Sequence, residues 1–377
     1  MSSESLTNQK SQKRQHSSII SPLVDFFMVG GMSLLIIPLV MLPFWDSAEN
    51  KELLYLGSFY LIFVLNMPHF VHSYQLLYKG YLGKIFGPAY GGAAKLRFWI
   101  SGVIAPLLMI AYFIYGARQP TSAALGYGVN AMLFFVGWHY VKQGYGVMIT
   151  LGVRKKAFFD DLEKKVLLVN AYVAWIFAWG QVNSVLEQDM FQEIPFQTIG
   201  ISKDVMHWSQ IGFVCWSVGV LLFLIRRFDG GRVISINGMV AYLSAVYLWV
   251  AFANTHPHII IFVPALHSAQ YLLFVWKMVY ERTKEEALGQ TGGGDVKLRS
   301  SDVFTKMLPF LGIGFGAGLV FFSWLPSMLD KTISYDTSIF GPNLFIFMFL
   351  IFLNIHHYFI DFSIWRKENP DMRHLFK

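Results

Sequence analysis

The chain has 377 residues, of which 55% are hydrophobic and 14% are charged, and its formal net charge at pH 7 is +7. About a quarter of the residues in soluble domains are charged, so this composition excludes an ordinary soluble domain and predicts a polytopic membrane protein. The basic residues stand in short clusters between apolar segments, which argues against nucleic-acid binding, and the single cysteine, Cys215, excludes a disulfide framework or a thiolate metal cage.

Residues 1–22 are mostly polar and rich in Ser, Gln and Lys, which predicts a disordered cytoplasmic tail. The first apolar run lacks a small-residue cleavage site, so we expect no removable signal peptide. We expect residues 23–366 to form a single transmembrane helical domain and residues 367–377 to form a short cytoplasmic tail.

Ten apolar segments are long enough, at 1.5 Å per helical residue, to cross a hydrocarbon core of about 30 Å. The expected fold class is therefore all-α, a polytopic membrane helix bundle with about ten transmembrane helices. In chain order the predicted spans are 24–45, 54–78, 98–116, 122–150, 164–183, 207–225, 237–255, 258–280, 306–326 and 342–365.

The loop charges predict the orientation of these spans, because cytoplasmic loops collect Lys and Arg. If the N-terminus is cytoplasmic, few of the 30 basic residues fall outside the cytoplasmic segments. Four of them stand in loops on the opposite side, Lys51, Arg118, Lys203 and Lys331, and one, Lys142, stands inside a span. The other 25 lie on the side of the N-terminus, which predicts that both termini are cytoplasmic.

The stretch LGIGFGAGLV, residues 311–320, contains a GxGxG pattern. No predicted strand precedes it and it lies within a span, so a nucleotide-binding loop is not expected. We interpret Gly312 and Gly316 as sites of close helix packing.

Six histidines lie well inside predicted spans, where ionisable groups are costly and mark functional sites. They are His69, His72, His139, His267, His356 and His357. They belong to the second, fourth, eighth and tenth spans, which all run from the outer to the inner face. In three of these spans a histidine stands ten residues, roughly 15 Å of helix, before a basic residue at the cytoplasmic end. These pairs are His69 and Lys79, His267 and Lys277, and His356 and Arg366.

Each of the four spans also carries a second polar residue three or four positions after a histidine, on the same helix face. The pairs are His69 with His72, His139 with Gln143, His267 with Gln270, and His357 with Asp361. Facing helices build metal sites in this way, and neutral imidazole suits iron, copper or zinc. We therefore predict that the six histidines bind one or two metal ions, and the alternative is that each forms a structural hydrogen bond between helices.

Three further residues are candidate catalytic residues. Asp361 supplies a carboxylate beside the histidines, Lys142 is a cation inside the membrane, and Tyr271 is one of several aromatic residues that could line a cavity for a long apolar substrate. Lys142 has an alternative role, in which its ammonium group extends to the cytoplasmic headgroups.

The segments HFVH, residues 69–72, and NIHHYFID, residues 354–361, resemble the histidine boxes of multi-pass membrane non-haem iron oxygenases. That group includes lipid desaturases and hydroxylases and the bacterial membrane-embedded carotene dioxygenases. The resemblance implies an iron centre held by histidines, although the HxxxH and HxxHH boxes of desaturases are spaced differently. The segments PHFVHSY, WHYVKQGYG, HSAQYLLFVW and HHYFIDFSIW also resemble a set found in bacterial membrane proteins, which implies a bacterial inner membrane.

These observations favour a membrane metal-dependent oxidoreductase that acts on a lipid-soluble substrate, such as an acyl lipid, carotenoid or other isoprenoid, with an electron donor as a partner. One alternative is an electron-transfer protein that binds haem between pairs of histidines, such as His69 with His267 or His139 with His356. A further alternative is a proton- or metal-coupled transporter, although no internal repeat is found.

Overall fold

The computed structural model describes residues 18–184, 190–229, 233–290 and 299–376. Nearly all of these residues are helical, which confirms the all-α class. In chain order the helices are α1 (Pro22–Gly31), α2 (Ser33–Val40), α3 (Ala48–Tyr78), α4 (Tyr81–Phe86), α5 (Gly92–Ala117), α6 (Ala123–Arg154), α7 (Asp161–Ser184), α8 (Lys203–Asp229), α9 (Ile236–Ala251), α10 (Pro257–Gln290), α11 (Ser300–Thr332), α12 (Thr337–Phe340) and α13 (Leu344–Ile364). Short 3₁₀ turns cover Pro43–Asp46, Ala253–Thr255 and Pro370–Phe376, and β1 (Met190–Phe191) pairs antiparallel with β2 (Ile194–Pro195).

Seven helices of the described chain are long and apolar enough to cross a membrane. They are α3, α5, α7, α8, α10, α11 and α13. The pair α1 and α2, bent by 44°, makes an eighth candidate, and α9 is a shorter apolar helix. A helix or a bent pair occupies each of the ten predicted spans, and the chain has the character of a multi-pass integral membrane protein.

Three of the long helices contain a five-residue π-helical turn that ends two residues before a proline. The turns and their prolines are Ile62–Asn66 with Pro68 in α3, Ile100–Ile104 with Pro106 in α5, and Val320–Trp324 with Pro326 in α11. Proline has no N–H to donate and its ring crowds the carbonyl four residues earlier, so a wider preceding turn relieves the clash. In α3 this wider turn comes directly before the segment that carries His69 and His72.

The chain divides into two compact units. The first unit comprises Met1–Ile62, Gly137–Ser184 and Gly200–Phe274, and the second comprises Phe63–Val136, Val185–Ile199 and Val275–Lys377. The predicted single domain, residues 23–366, includes parts of both units.

In the first unit, the end of the predicted tail is held against α1. Asp25 is fully buried, and its carboxylate accepts hydrogen bonds from the N–H groups of Ile19, at 2.6 Å, and Ile20, at 2.9 Å. Arg154 donates to the carbonyl of Ser18 at 2.9 Å. The two bonds to Asp25 satisfy a buried carboxylate that would otherwise be costly in an apolar setting. The rest of the predicted tail, residues 1–17, lies outside the described residues.

Close helix packing in the first unit depends on glycine. A Cβ atom at Gly144 of α6 would collide with Ala245 of α9, and Gly30 adopts a φ of 146° beside Ser244, whose hydroxyl donates to the Gly30 carbonyl at 3.2 Å. Only glycine reaches that φ without strain. Gly30 therefore permits the bend that ends α1 beside α9.

In the second unit, α11 packs on α3 through glycines, but not through the two that the sequence indicated. A Cβ at Gly314 would collide with His72 and one at Gly318 would lie 2.8 Å from Cβ of Met67, whereas nothing described lies within 4 Å of such a Cβ at Gly312 or Gly316. The prediction of close packing was therefore right for this segment, but the packed face carries Gly314 and Gly318 instead of Gly312 and Gly316. Residues two apart on a helix point about 200° apart, so GxGxGxG presents two opposite small-residue faces.

The C-terminal end of α3 is capped by a buried lysine. Lys84 of α4, which is 5% exposed, donates from Nζ to the carbonyls of Leu76 and Leu77, the second bond at 2.9 Å. The last carbonyls of a helix have no partner within the helix, so a donor at this place stabilises its end. Burial lowers the pKa of Lys84 to about 8, with the nearby charge of Asp371 opposing the shift.

Comparison with a Lys84→Met variant should show how burial of the Lys84 amine changes the pH dependence of protein stability. Between pH 8 and 10.5 the unfolded chain keeps the Lys84 proton that the folded protein has lost, so the stability of the wild type relative to the variant should rise across this range. This rise in the free energy of unfolding should be on the order of 3 kcal/mol. Thermal unfolding at several pH values measures it, with Lys95→Met as the control, and an unchanging difference between wild type and Lys84→Met would contradict the expectation.

Candidate metal-binding histidine pairs

The first unit contains a histidine pair on two different helices. His139 of α6 and His267 of α10 are both buried, and their Nε2 atoms lie 3.1 Å apart. Tyr140 stacks on the His267 ring, with centroids 4.1 Å apart and planes inclined by 27°. Because Tyr140 holds one face of the ring, Nε2 of His267 keeps its direction towards Nε2 of His139.

The distance between these two nitrogens suits a shared metal ion. Two imidazole nitrogens bound at about 2.1 Å to one ion, with an angle near 90–110° between the bonds, lie about 3.0–3.4 Å apart. Without an ion, one proton can occupy the space, so one ring must donate and the other must accept. The arrangement in the first unit can therefore hold either a proton or a metal ion.

One turn towards the C-terminal end of each helix, the glutamines of the same two helices meet. Gln143 donates from Nε2 to Oε1 of Gln270 at 2.9 Å and to the carbonyl of His267 at 3.2 Å. Gln270 donates from its own Nε2 to the carbonyl of Val29 at 2.5 Å. This chain of amides fixes the register of α6 against α10, and hence the distance between the two histidines. Oε1 of Gln143 is buried and has no hydrogen-bond partner among the described residues.

The second unit contains another buried pair, His69 of α3 and His357 of α13. Their rings are nearly perpendicular, at 78°, with centroids 4.3 Å apart, and a ring nitrogen of each lies within 4.8 Å of one in the other. Each unit thus brings together one histidine from each of two helices.

Hydrogen bonds define which nitrogen of His357 carries the proton. The Ser73 hydroxyl donates to the Phe70 carbonyl at 2.6 Å, so it accepts from Nδ1–H of His357 at 2.9 Å. In the neutral ring, Nε2 then keeps its lone pair, and Oδ2 of Asp361 lies 3.4 Å from that atom. A lone pair and a carboxylate that face each other attract a cation, either a proton or a metal ion.

The adjacent His356 is bonded differently. Its Nε2–H donates to the Ser101 carbonyl at 2.6 Å, and its Nδ1 accepts from the Tyr74 hydroxyl at 2.7 Å. Because a carbonyl can only accept, the ring must be protonated at Nε2, and both nitrogens are then committed. His356 was predicted as a metal ligand, but in this arrangement it has no lone pair to offer and it serves as a hydrogen-bonded link between helices.

His72, also predicted as a ligand, lies against α11 rather than α13. Its Nδ1–H donates to Oε1 of Gln75 at 2.7 Å, because Nε2 of Gln75 is already donating to the Phe310 carbonyl at 3.1 Å. The ring stacks on Phe310, with centroids 4.3 Å apart, and packs against Gly314. The second unit therefore separates His72 from the pair formed by His69 and His357.

The three predicted catalytic residues have different surroundings. Asp361 is buried beside His357, as its spacing indicated. Lys142 is half-buried, with Nζ 5.9 Å from the centre of the Tyr172 ring. Tyr271 is buried on α10, four residues after His267 and so on the same helix face.

Sequence reasoning missed the residues that orient the histidines of α13, namely Ser73, Tyr74 and Ser101. Ser73 stands four residues after His69, so the same spacing rule that selected Asp361 would have found it. Ser101 bonds to His356 through a backbone carbonyl, for which no signal exists in the residue type.

Comparison with protein-family models, with curated proteins and with solved structures finds no match to this chain. What the site can do is therefore inferred from its own geometry.

Proposed function

We propose that the protein is an integral membrane oxidoreductase that depends on a metal, with iron held by its buried histidines, and that it acts on a lipid-soluble substrate such as an acyl lipid, carotenoid or other isoprenoid. The observation that carries this proposal is the 3.1 Å separation of the Nε2 atoms of His139 and His267. Two buried imidazoles at that distance in membrane helices are costly unless they share a ligand or serve a function.

The donors suit iron. His69, His357 and Asp361 supply two imidazoles and a carboxylate in the second unit. Two imidazoles and a carboxylate are the donor types that would hold iron in a non-haem oxygenase. His139 and His267 add two imidazoles in the first unit. The absence of thiolate donors, given the single exposed Cys215, argues against an iron–sulfur cluster.

When bound, the iron would activate dioxygen, and an electron donor would supply the reducing equivalents. The residues of the chain orient the ligands and exclude water. Ser73 fixes the tautomer of His357, and Gln143 with Gln270 fixes the helices that carry the first pair. A site among buried membrane helices suits a substrate that arrives sideways from the bilayer.

For the pair formed by His139 and His267, the distance between the nitrogens favours a non-haem centre over haem. Two axial imidazole nitrogens about 2 Å from a haem iron, on opposite faces of the ring, lie about 4 Å apart with the macrocycle between them. The nitrogens of His139 and His267 are closer than that, at 3.1 Å.

The finer topology is part of the proposal. Ten spans with both termini in the cytoplasm are supported by the concentration of Lys and Arg on one side of the predicted spans. Location in a bacterial inner membrane is supported by the resemblance of the four histidine-bearing segments. Protease access to the C-terminus in sealed inside-out vesicles tests the orientation.

Elemental analysis and optical spectroscopy of the detergent-purified protein test the metal. We expect one or two iron ions per chain and no Soret band. Zinc or copper in place of iron would overturn the oxidoreductase assignment as written, and a Soret band would support the haem alternative. Failure to bind any metal after anaerobic reconstitution with Fe²⁺ would overturn the proposal as a whole.

A further inference from the structure

A cavity of about 520 Å³ lies in the first unit, among α2, α7, α8 and α9. Its volume is within the range of about 300–1,000 Å³ that ligand pockets occupy. The wall is largely aliphatic and aromatic, with Leu34, Phe213 and Leu248 as examples, and no Lys, Arg, Asp or Glu is among the described residues that line it. An occupant of this cavity must therefore be uncharged and mostly apolar.

The mouth of the cavity opens on the lipid-facing side of α8. Val214, Val218 and Leu221 line the cavity and yet are more than half exposed, at 51%, 51% and 54%. Their spacing places them on one face of the helix. Because α8 is long and apolar enough to span the membrane, this exposed face meets hydrocarbon, and a ligand can enter from the bilayer.

Most polar groups of the wall are already hydrogen-bonded. The bonds are Tyr242 hydroxyl to Leu167 carbonyl at 2.6 Å, Asn170 Nδ2 to Tyr242 hydroxyl at 2.8 Å, Tyr247 hydroxyl to Asn170 Oδ1 at 3.3 Å, and Ser244 hydroxyl to Gly30 carbonyl at 3.2 Å. The hydroxyl of Ser217, by contrast, is buried and has no hydrogen-bond partner in the part of the chain that the structure describes. A buried hydroxyl without a hydrogen-bond partner destabilises the folded state by about 1–3 kcal/mol, and a hydrogen bond to a ligand oxygen would remove this cost.

The α9 wall of the cavity is irregular. Residues Ser244–Ala251 form a π-helical segment, a rare conformation that is frequent at functional sites. Tyr247 and Leu248 of this segment line the cavity, while the Trp249 ring lies 6.3 Å from that of His267 and perpendicular to it. The same segment therefore contacts both the cavity and the first histidine pair.

We propose that this cavity binds a neutral membrane lipid with a long apolar chain and one hydroxyl or carbonyl oxygen, which hydrogen-bonds to Ser217. The lack of charged groups in the described wall excludes a phospholipid headgroup, whose phosphate would need a cationic partner. The site is distinct from the histidine pairs, and binding there does not depend on a metal ion.

Photoaffinity labelling of the purified full chain tests the proposal. The probe is a long-chain alcohol that carries a diazirine and an alkyne, and the competitors are hexadecanol and hexadecane. We expect saturable labelling that maps to α8 and α9 and is the same before and after treatment with a chelator. Hexadecanol should compete about fivefold better than hexadecane, as one hydrogen bond predicts. Labelling that does not saturate, or that maps elsewhere, would overturn the proposal.

Two adjacent leucines provide a matched pair of variants. Leu221 lines the cavity and Leu222 does not, and their exposures are nearly equal, at 54% and 55%. Leu221→Trp should fill the cavity and reduce saturable labelling at least fivefold, and Leu222→Trp should leave it unchanged. In Ser217→Ala the advantage of hexadecanol over hexadecane should disappear. Equal labelling in the two tryptophan variants would contradict the proposed site. Stronger competition by hexadecanol than by hexadecane in Ser217→Ala would contradict it as well. Since chelated protein is used throughout, these outcomes do not depend on the metal proposal.

Discussion

Replacement of His139 or His267 by alanine should lower the affinity of the first unit for its metal ion by more than a hundredfold. Each substitution removes one of two nitrogens that lie 3.1 Å apart, and no other described side chain of this unit supplies an imidazole at that place. Loss of a direct ligand should exceed the roughly 10–100-fold cost of losing an outer partner. Elemental analysis after dialysis against a weak chelator measures the loss.

His207→Ala is the matched control, because His207 lies in the same unit near the start of α8. It should retain the metal content of the wild type. Since His139→Ala could also unfold the protein, thermal unfolding of each variant is measured together with its metal content, and His139→Gln, which keeps a polar side chain, is compared. Full metal content in folded His139→Ala and His267→Ala would show that this pair is not a ligand set.

The neighbouring histidines of α13 should respond in opposite ways to the same substitution. His357→Ala should remove metal from the second pair, because Nε2 of His357 faces Asp361 with its lone pair. Asp361→Asn should weaken binding by about 10–100-fold, less than the loss of a whole ligand, because the amide keeps an oxygen at that place and removes only the charge. Metal content and the apparent melting temperature are measured on the same preparations.

His356→Ala, in contrast, should keep the metal and lose stability. It deletes two buried hydrogen bonds, to Tyr74 and to the Ser101 carbonyl, and leaves both partners unsatisfied. The expected cost is about 2–5 kcal/mol. Metal loss in folded His356→Ala with full retention in His357→Ala would reverse the assignment of the two residues.

The same variants test the depth prediction made from the sequence. His69, His267 and His356 each stand ten residues before a basic residue at the end of their spans, which predicts one layer and hence one centre of one or two ions. If so, a variant of either pair should lose all of the metal. Loss of only part of the metal from each would support separate sites.

Much of the fold follows from the sequence, because helix formation and membrane insertion depend on local composition. A helix or bent pair occupies each of the ten predicted spans, and seven helices and one bent pair of the described chain are long and apolar enough to cross a membrane. The prolines at 68, 106 and 326 each follow a π-helical turn that their missing N–H explains. The spacing of His357 and Asp361 was also sufficient to place the two side chains together, since residues four apart on a helix share a face.

Tertiary packing decided the rest. His139 and His267 are 128 residues apart, and which nitrogens meet depends on the helix register that Gln143, Gln270 and Val29 fix together. The neighbouring helix decides whether Gly312 or Gly314 lies on the packed face of α11. In the same way, the groups around α13 decide whether His356 or His357 can be a ligand. The sequence by itself determined that apolar helices carry buried imidazoles, because hydrophobicity and helical period are local properties. Only the tertiary structure determined which ring nitrogens meet and which of them donate or accept, because the groups that they contact come from distant segments of the chain.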